Sequence, residues 1–275
     1  MKPRYIFAAV LVLLAGLGLD AFWLEPSSLR LTRYDLPAPI PALRGLRIAV
    51  IADLHAGSNY IGKSKIDRVV AMTNAAHPDL ILLAGDYVSG VDHVWGGPHV
   101  SVKAIALHLK SLSAPLGVHA VLGNHDNWTD PVRIAAVLQA DGFDVLDNSR
   151  SVIRGPHGAL TLVGIGDWAS DAADPKRALA GLRPGTRALC LTHSPDVFPR
   201  LPPACTFTIA SHTHGGQVKL PVVGALVTGS RYGQRYLAGL VHEGGKTLFV
   251  SSGIGTSIMP VRFGVPPEIT LLVFH

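Results

Sequence analysis

The sequence predicts an α/β domain, and three observations carry that prediction. Short apolar, β-branched runs alternate with stretches of helical spacing through the first half. The second half is richer in strands, with Gly-punctuated alternating sequence over residues 235–241, 246–251 and 269–274. The 275 residues are 48% hydrophobic and 16% charged, which suits one large core, although two small domains would also fit.

Taken in order, the chain opens with Lys2 and Arg4 ahead of an apolar run over residues 5–19. Asp20 interrupts that run and residues 21–24 extend it, giving a stretch long enough to cross a bilayer as a helix of about 20 residues. Leu19-Asp20-Ala21 makes a poor cleavage site, since a large Leu stands where a small residue is needed, so an uncleaved anchor over residues 1–25 is favoured over a cleaved signal. Basic residues before the helix predict a cytoplasmic N-terminus and an extracytoplasmic main domain; Arg30 and Arg33 behind it pull the other way. Pro26, Pro37, Pro39 and Pro41 predict a stiff linker over residues 26–44, with the folded domain spanning 45–275.

Within that domain, residues 45–52 read as a buried strand delivering Asp53-Leu54-His55. Two-residue spacing on an extended chain puts a carboxylate and an imidazole on one side, Leu54 facing the core. A helix over 66–76 and a strand over 80–84 follow, the strand ending in Gly85-Asp86, where Gly permits close backbone approach. A second carboxylate beside Asp53 would be repelled unless a cation lay between them. After a helix over 101–111, a strand over 117–122 ends in Gly123-Asn124-His125-Asp126, and Pro131 suits the start of the next helix. A hairpin over 151–165, a helix over 175–181 and a strand over 187–191 lead to His193, and a strand over 207–210 opens into His212-Thr213-His214-Gly215-Gly216. One histidine at a strand end is usually structural. Repeated strand ends carrying Asp53 and His55, Asp86, Asn124 and His125, His193, and His212 and His214 are not explained by core packing, and these residue types are metal ligands.

Composition narrows the rest. The net charge is +5, with no Lys/Arg block, which favours ordinary solubility over nucleic-acid binding. Cys190 and Cys205 sit in or beside apolar runs without metal-type spacing, and we expect buried thiols rather than a bridge. His93, His99, His108, His119, His157, His242 and His275 have no matching partners and read as structural or exposed; His77 reads as a helix-end cap.

The ordered motifs DLH, GDYV, GNHD, THS and HTH resemble the calcineurin-like metallophosphoesterase superfamily over residues 45–275. HSPDVFPRLP, HTHGGQVKLP, SRYGQRYLAGL and GIGTSIMPVRFGVPPEITLL are similar to its bacterial, membrane-associated phosphodiesterase branch, which includes UDP-2,3-diacylglucosamine pyrophosphatases of lipid A synthesis. Ser211 departs from the usual Gly, and Asn127 stands where that branch often has an aromatic. The resemblance implies a four-layer α/β/β/α fold, a two-sheet β-sandwich flanked by helices. It implies two divalent ions (Mn, Fe or Zn), one bound by Asp53, His55, Asp86 and His214, the other by Asp86, Asn124, His193 and His212, with Asp86 shared. It implies an inner-membrane protein with a single N-terminal anchor and a phosphate-containing small-molecule or lipid substrate; no nucleic-acid partner is expected.

Two such cations, about 3.5–4 Å apart, can activate water and clamp an in-line displacement. They would outweigh two carboxylates and a hydroxide, leaving a net positive site for phosphate. No Ser or Cys nucleophile is then needed. His125 is the candidate to protonate the leaving oxygen or stabilise developing charge; Asp126 either orients its ring or caps the loop. Arg231, Tyr232, Arg235 and Arg262, in Gly-rich loops, are candidates to contact substrate, against a reading as solvated loop cations. A nuclease or broad-specificity phosphodiesterase of the same fold, and a non-catalytic metal-binding membrane module, are the alternatives.

Overall fold

The computed structural model describes residues 2–90 and 97–275; His93 lies outside them. The helix Pro3–Leu19 continues through one wide turn, Asp20–Leu24, into Glu25–Ser27. Together Pro3–Ser27 form a 25-residue apolar rod of mean hydropathy 2.2 that buries nothing along its most apolar stretch. By length and composition it could cross a membrane.

The remainder builds two six-stranded sheets. The first contains β1 (Arg30–Leu36), β2 (Arg47–Ile51), β3 (Leu80–Leu83), β4 (Val118–Ala120), β5 (Asp144–Val145) and the last strand, Glu268–Phe274. The second contains β6 (Ser149–Gly155), β7 (Gly158–Gly164), β8 (Ala188–Leu191), β9 (Cys205–Ala210) and two later strands, Gly239–Glu243 and Lys246–Val250. Between them in the chain lies a small hairpin, β10 (Lys219–Leu220) and β11 (Gly224–Ala225). We call the three late strands β12 (Gly239–Glu243), β13 (Lys246–Val250) and β14 (Glu268–Phe274). The sheet orders are β1-β14-β2-β3-β4-β5 and β12-β13-β9-β8-β7-β6.

Side-chain alternation explains the layering. Ile48, Val50, Leu80, Leu82 and Phe274 of the first sheet meet Leu160, Leu162, Leu189, Leu191, Phe207 and Phe249 of the second in a core between the sheets. Their neighbours Ala49, Ile51, Ile81 and Leu83 face outward onto Ile66, Val69, Ile105, Leu109, Ile134 and Leu138 of the helices Lys63–Ala75, Val102–Leu109 and Pro131–Ala140. Val163, Cys190, Leu248 and Val250 do the same for the second sheet, against Ala178 of the short helix Pro175–Leu179 and against Val197 and Phe198. The inner strands of both sheets are buried on two faces, which is why they read as unbroken apolar runs.

Four expectations fail in whole or in part. The expected linker over 26–44 carries β1, an edge strand paired in parallel with β14 from Arg30↔Glu268 to Leu36↔Phe274. Its sequence is mostly exposed, so little apolar patterning marked it, and only the stretch around Pro37, Pro39 and Pro41 is irregular or a single tight turn. Cys190 and Cys205 form a disulfide across the parallel neighbours β8 and β9. Of the strand expected over 235–241, residues 239–241 lie in β12, while its start belongs to a tight turn, Gly233–Tyr236. A short helix, Asn124–Thr129, also replaces the loop expected after β4.

Candidate metal centre

β2 and β3 are parallel neighbours, as are β8 and β9. Their carboxyl ends therefore deliver Asp53, Asp86, His193 and His212 as adjacent pairs from two sheets to one place. These residues lie just beyond the strands, so alternation along a strand is not what gathers them. Instead Asp53, His55, Asp86, His212 and His214 all take left-handed backbone, with φ of 49°, 45°, 56°, 74° and 52°. Each such turn costs about 1–3 kcal/mol for a residue with a Cβ, and such strain concentrates at functional sites. Between the left-handed turns Leu54 points into the core, and Thr213 turns away to donate to Leu237 O at 2.6 Å. Gly85 permits the crossing expected of it: a Cβ there would stand 2.5 Å from Gly123 N and 2.9 Å from His193 Nδ1.

The side chains converge. Asp86 Oδ2 lies 3.4 Å from His55 Nε2 and 3.2 Å from His193 Nε2. Asp53 Oδ1 lies 3.9 Å from both His193 Nε2 and His214 Nε2. His55 Nε2 and His214 Nε2 face each other at 3.1 Å, and His212 Nδ1 and His193 Nε2 at 3.2 Å. Asn124 Oδ1 stands 3.1 Å from His193 Nε2. Asp53, His55 and His214 thus form one cluster capable of holding a cation, and Asp86, His193 and His212 a second. Asp86 also groups with His55 and His125, which puts it between the two.

Such a set is uncomfortable without cations. Burial pushes the Asp53 carboxyl up to about 7; His193 opposes this and Asp86 adds to it. Burial drives the His55 imidazole down to about 3 and His214 well below its usual value. Burial also works against His193, yet the Asp86 carboxylate holds it well above the ordinary range. Asp86 is lowered in turn, its burial overridden by His193 and His55. Closely facing imidazole nitrogens around two buried carboxylates fit a cation better than they fit one another. The outer contacts agree: His193 Nδ1 donates to Ala84 O at 2.7 Å and His212 Nε2 to Gly229 O at 3.1 Å, which turns the opposite nitrogen of each ring inward. His55 Nδ1 is buried without a hydrogen-bond partner among the described residues.

The other expected site residues divide. His125 sits at the edge, its ring 4.6 Å from that of His55 and 5.4 Å from that of exposed Trp128, with Nδ1 held by Ser89 O. Asp126 does not reach that ring. Its carboxylate accepts the N–H groups of Asp86, Tyr87, Val88 and Gly123, so of its two expected roles the loop cap is the one adopted. Arg262 is not a substrate-facing loop cation. It is fully buried, donates to Ser252 O, Gly255 O and Val265 O, and places Nη2 3.4 Å from His214 Nδ1. Arg231 is exposed near Asp196 Oδ2, at 3.7 Å, two residues from the Gly229 carbonyl that holds His212. Tyr232 packs on Tyr236, and Arg235 pairs with Glu243 at 2.7 Å. Ser211 does more than fill space: Oγ donates to Ala84 O at 3.0 Å beside His193. Asn127 bonds back to Gly123 O within its own helix.

Asp167 escaped the sequence reading. It is fully buried after β7, Oδ2 taken by Ser170 while Oδ1 has no partner among the described residues. Its charge acts on both His193 and His212. The signal existed, since Gly166-Asp167 after an apolar strand repeats the pattern of Gly85-Asp86.

Comparison with known proteins matches this arrangement. Residues 46–216 match the family model for calcineurin-like phosphoesterases. Phosphodiesterase YaeI of Escherichia coli is 31% identical, the alignment covering 96% of this chain and 95% of that protein. UDP-2,3-diacylglucosamine pyrophosphatase LpxG of Chlamydia trachomatis is 27% identical over 97% and 96%. The uncharacterized metallophosphoesterase YkuE of Bacillus subtilis is 28% identical over 98% and 94%. Among solved structures, a 5'-nucleotidase precursor from Thermus thermophilus superposes with a TM-score of 0.50 at 15% identity, over 76% of this chain and 49% of that one, a likeness of fold. Two sheets delivering histidines and carboxylates to one cluster, in an order that a family model recognises across most of the domain, make the chain a member of the calcineurin-like phosphoesterases, a family of metal-dependent phosphoester hydrolases.

Proposed function

We propose that this chain hydrolyses a phosphodiester or pyrophosphate bond of a membrane-lipid or nucleotide-sugar-lipid substrate, such as UDP-2,3-diacylglucosamine, with two divalent cations (Mn, Fe or Zn). The observation that carries the reading is Asp86 Oδ2, placed 3.4 Å from His55 Nε2 and 3.2 Å from His193 Nε2, where one carboxylate can serve both clusters. Asp53, His55 and His214 would complete one cation site, and Asn124, His193 and His212 the other. When bound, the cations supply Lewis-acid polarisation of phosphoryl oxygens and a water activated near neutral pH.

The chain's own residues do the rest. Asp126 gathers backbone N–H groups from the Asp86 and Gly123 turns, and so fixes the distance between Asp86 and Asn124. Arg262 props His214 from behind and keeps a buried positive charge near Asp53. His125 Nδ1 donates to Ser89 O, which leaves Nε2, 3.4 Å from Ser257 Oγ, to carry the proton given to the leaving oxygen. Arg231, exposed two residues after Gly229, would be the side chain to meet a phosphate or a headgroup.

The apolar helix Pro3–Ser27 supports membrane anchoring, and the Cys190–Cys205 disulfide supports an extracytoplasmic domain, since disulfides persist in oxidising compartments. A reporter fused after His275 tests this: a cytoplasmic signal overturns it. A second reading, a broad-specificity phosphodiesterase, draws on the 31% identity to YaeI. The deciding experiment gives Mn-loaded protein bis-p-nitrophenyl phosphate, UDP-2,3-diacylglucosamine and a phospholipid panel. Turnover of the simple diester with no preference among the lipids favours the second reading. No turnover of any ester defeats both.

A further inference from the structure

We infer that two apolar tips, one formed by Val222 and Val223 with Leu226 and Val227 on either side of β11 and the other by Ile258 and Met259, rest in the surface of the bilayer that anchors the chain and hold the mouth of the metal cluster against the lipid. The inference rests on the anchoring half of the functional reading, and not on the reaction.

The first observation is exposure. Val222 is fully exposed, Leu226 and Val227 are each 73% exposed, and Ile258 is 77% exposed, with Val223 and Met259 beside them. Single exposed apolar residues are ordinary on any protein. Grouped on two loop tips, they mark a surface that meets something apolar.

The second observation is backbone conformation. Val222 has φ of 69° and Ile258 of 65°. Left-handed backbone at a loop tip is the place for Gly or Asn, and a β-branched residue there is a steric outlier. Both tips therefore accept a steric cost as well as the exposure of a branched apolar side chain. Neither choice helps a loop surrounded by water. Both make sense if the side chain leaves water when the protein is in place.

The third observation identifies the occupant. The two loops are tied together: Gln217 Nε2 donates to Met259 O, and Lys219 N to Phe263 O at 2.8 Å. The segment carrying Ile258 is tied in turn to the end of the apolar helix. Arg262 N donates to Ala21 O at 3.0 Å, and the Glu25 carboxylate accepts the N–H groups of Gly264 and Val265. Tyr60 reaches Phe22 O and stacks edge-on against Trp23, which is 63% exposed and stands where a tryptophan suits a membrane interface. The apolar tips thus continue the surface on which the helix leaves the lipid. Exposed Lys219 at the base of the β10–β11 hairpin would meet anionic headgroups. At their bases the same loops edge the cluster: Ser257 Oγ lies 3.4 Å from His125 Nε2, and Gly229 O holds His212. A lipid headgroup at that surface would need to travel little to reach the cations.

The test places an environment-sensitive NBD label on the full chain in nanodiscs of phosphatidylethanolamine and phosphatidylglycerol. Both native cysteines are paired with each other, so Val222→Cys, Ile258→Cys, Leu14→Cys and Val152→Cys each present one reactive thiol. The expected result is a blue-shifted emission at 222 and 258, quenched at least twofold by lipids spin-labelled near the headgroup, with position 152 in the edge strand β6 quenched by aqueous iodide instead. Labels at 222 and 258 as open to iodide as the one at 152 overturn the inference. So do labels shielded from iodide yet untouched by the lipid quencher, which would mean that a protein or a second copy covers the tips. The label at 14 separates the readings: lipid-quenched at 14 but not at 222 and 258 sinks this inference alone, whereas an iodide-accessible 14 sinks the anchoring reading with it. As a second measurement, the double variant Val222→Asp/Ile258→Asp should turn over soluble bis-p-nitrophenyl phosphate as the parent does, while hydrolysis of a vesicle-borne phosphodiester lipid falls at least tenfold. Equal loss on both substrates, or on neither, counts against the tips.

Discussion

His125 is the residue whose chemistry is easiest to isolate, because it borders the cluster without being needed to build it. Its Nδ1 is spent on Ser89 O. Replacing it with Ala should cost about 10²–10⁴-fold in kcat, the usual worth of a placed proton donor, while bound metal measured by mass spectrometry stays at the parent level. Loss of metal together with activity would make it a ligand instead. Asp53 sets a pH dependence. Burial pushes its carboxyl up to about 7, so below that value a cation must displace a proton to bind. Affinity for Mn should therefore fall by up to about a hundredfold per pH unit as pH drops below 7, where two protons must be displaced, one from Asp53 and one from His193. Recovery continues above 7, because His193, held well above its ordinary value by Asp86, must also give up a proton. Calorimetric titration in buffers of different ionisation enthalpy reads the released protons directly, and no proton release at pH 6 would refute the assignment. Arg262 is a structural cation. Arg262→Met would leave the carbonyls of Ser252, Gly255 and Val265 unpaired in the interior, at a cost of about 3 kcal/mol or more, seen as a lower denaturant midpoint.

At the scale of elements, the cluster depends on turns held by backbone N–H groups and not on strands. Asp126 is the anchor of two of these turns, with four N–H groups on one carboxylate. Asp126→Ala should reduce metal occupancy more than His125→Ala does, although it touches no cation, and Asp126→Asn should recover part of the loss because one oxygen can still accept. Equal occupancy in parent and Asp126→Ala would show that the Asp86 turn stands without it. This scale also shows what was legible beforehand. Strands buried on both faces announce themselves as apolar runs, and an Asp, Asn or His follows within two residues of each run that feeds the cluster, so the placement of Asp53, Asp86, His193 and His212 at strand ends was readable. The edge strand β1 was not. Its RLTRYDL sequence buries mainly Leu36, and its pairing is decided by β14 at the other end of the chain. Arg262 was misread for a related reason: a loop arginine becomes an interior one only when carbonyls from three separate positions fold around it, and no local pattern encodes that.

For the molecule as a whole, the disulfide is the feature of the fold that bears on the proposed extracytoplasmic placement. Two cysteines with no motif around them gave no sign of pairing, because nothing local says that β8 and β9 are neighbours. Once those strands lie side by side, Cys190 and Cys205 come within a Cα separation of 5.6 Å, inside the range a bridge requires. The bridge closes a loop with a sequence separation of 15 residues, and restricting the unfolded chain by that amount is worth about 3 kcal/mol in the chain-entropy account. It joins β8 three residues before His193 to the start of β9, within the outer core of the second sheet. A chain made in a reducing cytosol should then fold less stably than one exported, while both keep the same fold, because the sulfurs are fully buried and the strands are paired with or without them. The Cys190→Ser/Cys205→Ser double variant separates stability from compartment. Its unfolding free energy in urea should fall by about 3 kcal/mol, its Mn-dependent turnover of bis-p-nitrophenyl phosphate at room temperature should stay within about twofold of the parent, and added dithiothreitol should lower the parent to the level of the variant. A parent that is equally stable with and without reductant would mean that the bond does not form in solution, and the extracytoplasmic placement would lose its support within the fold.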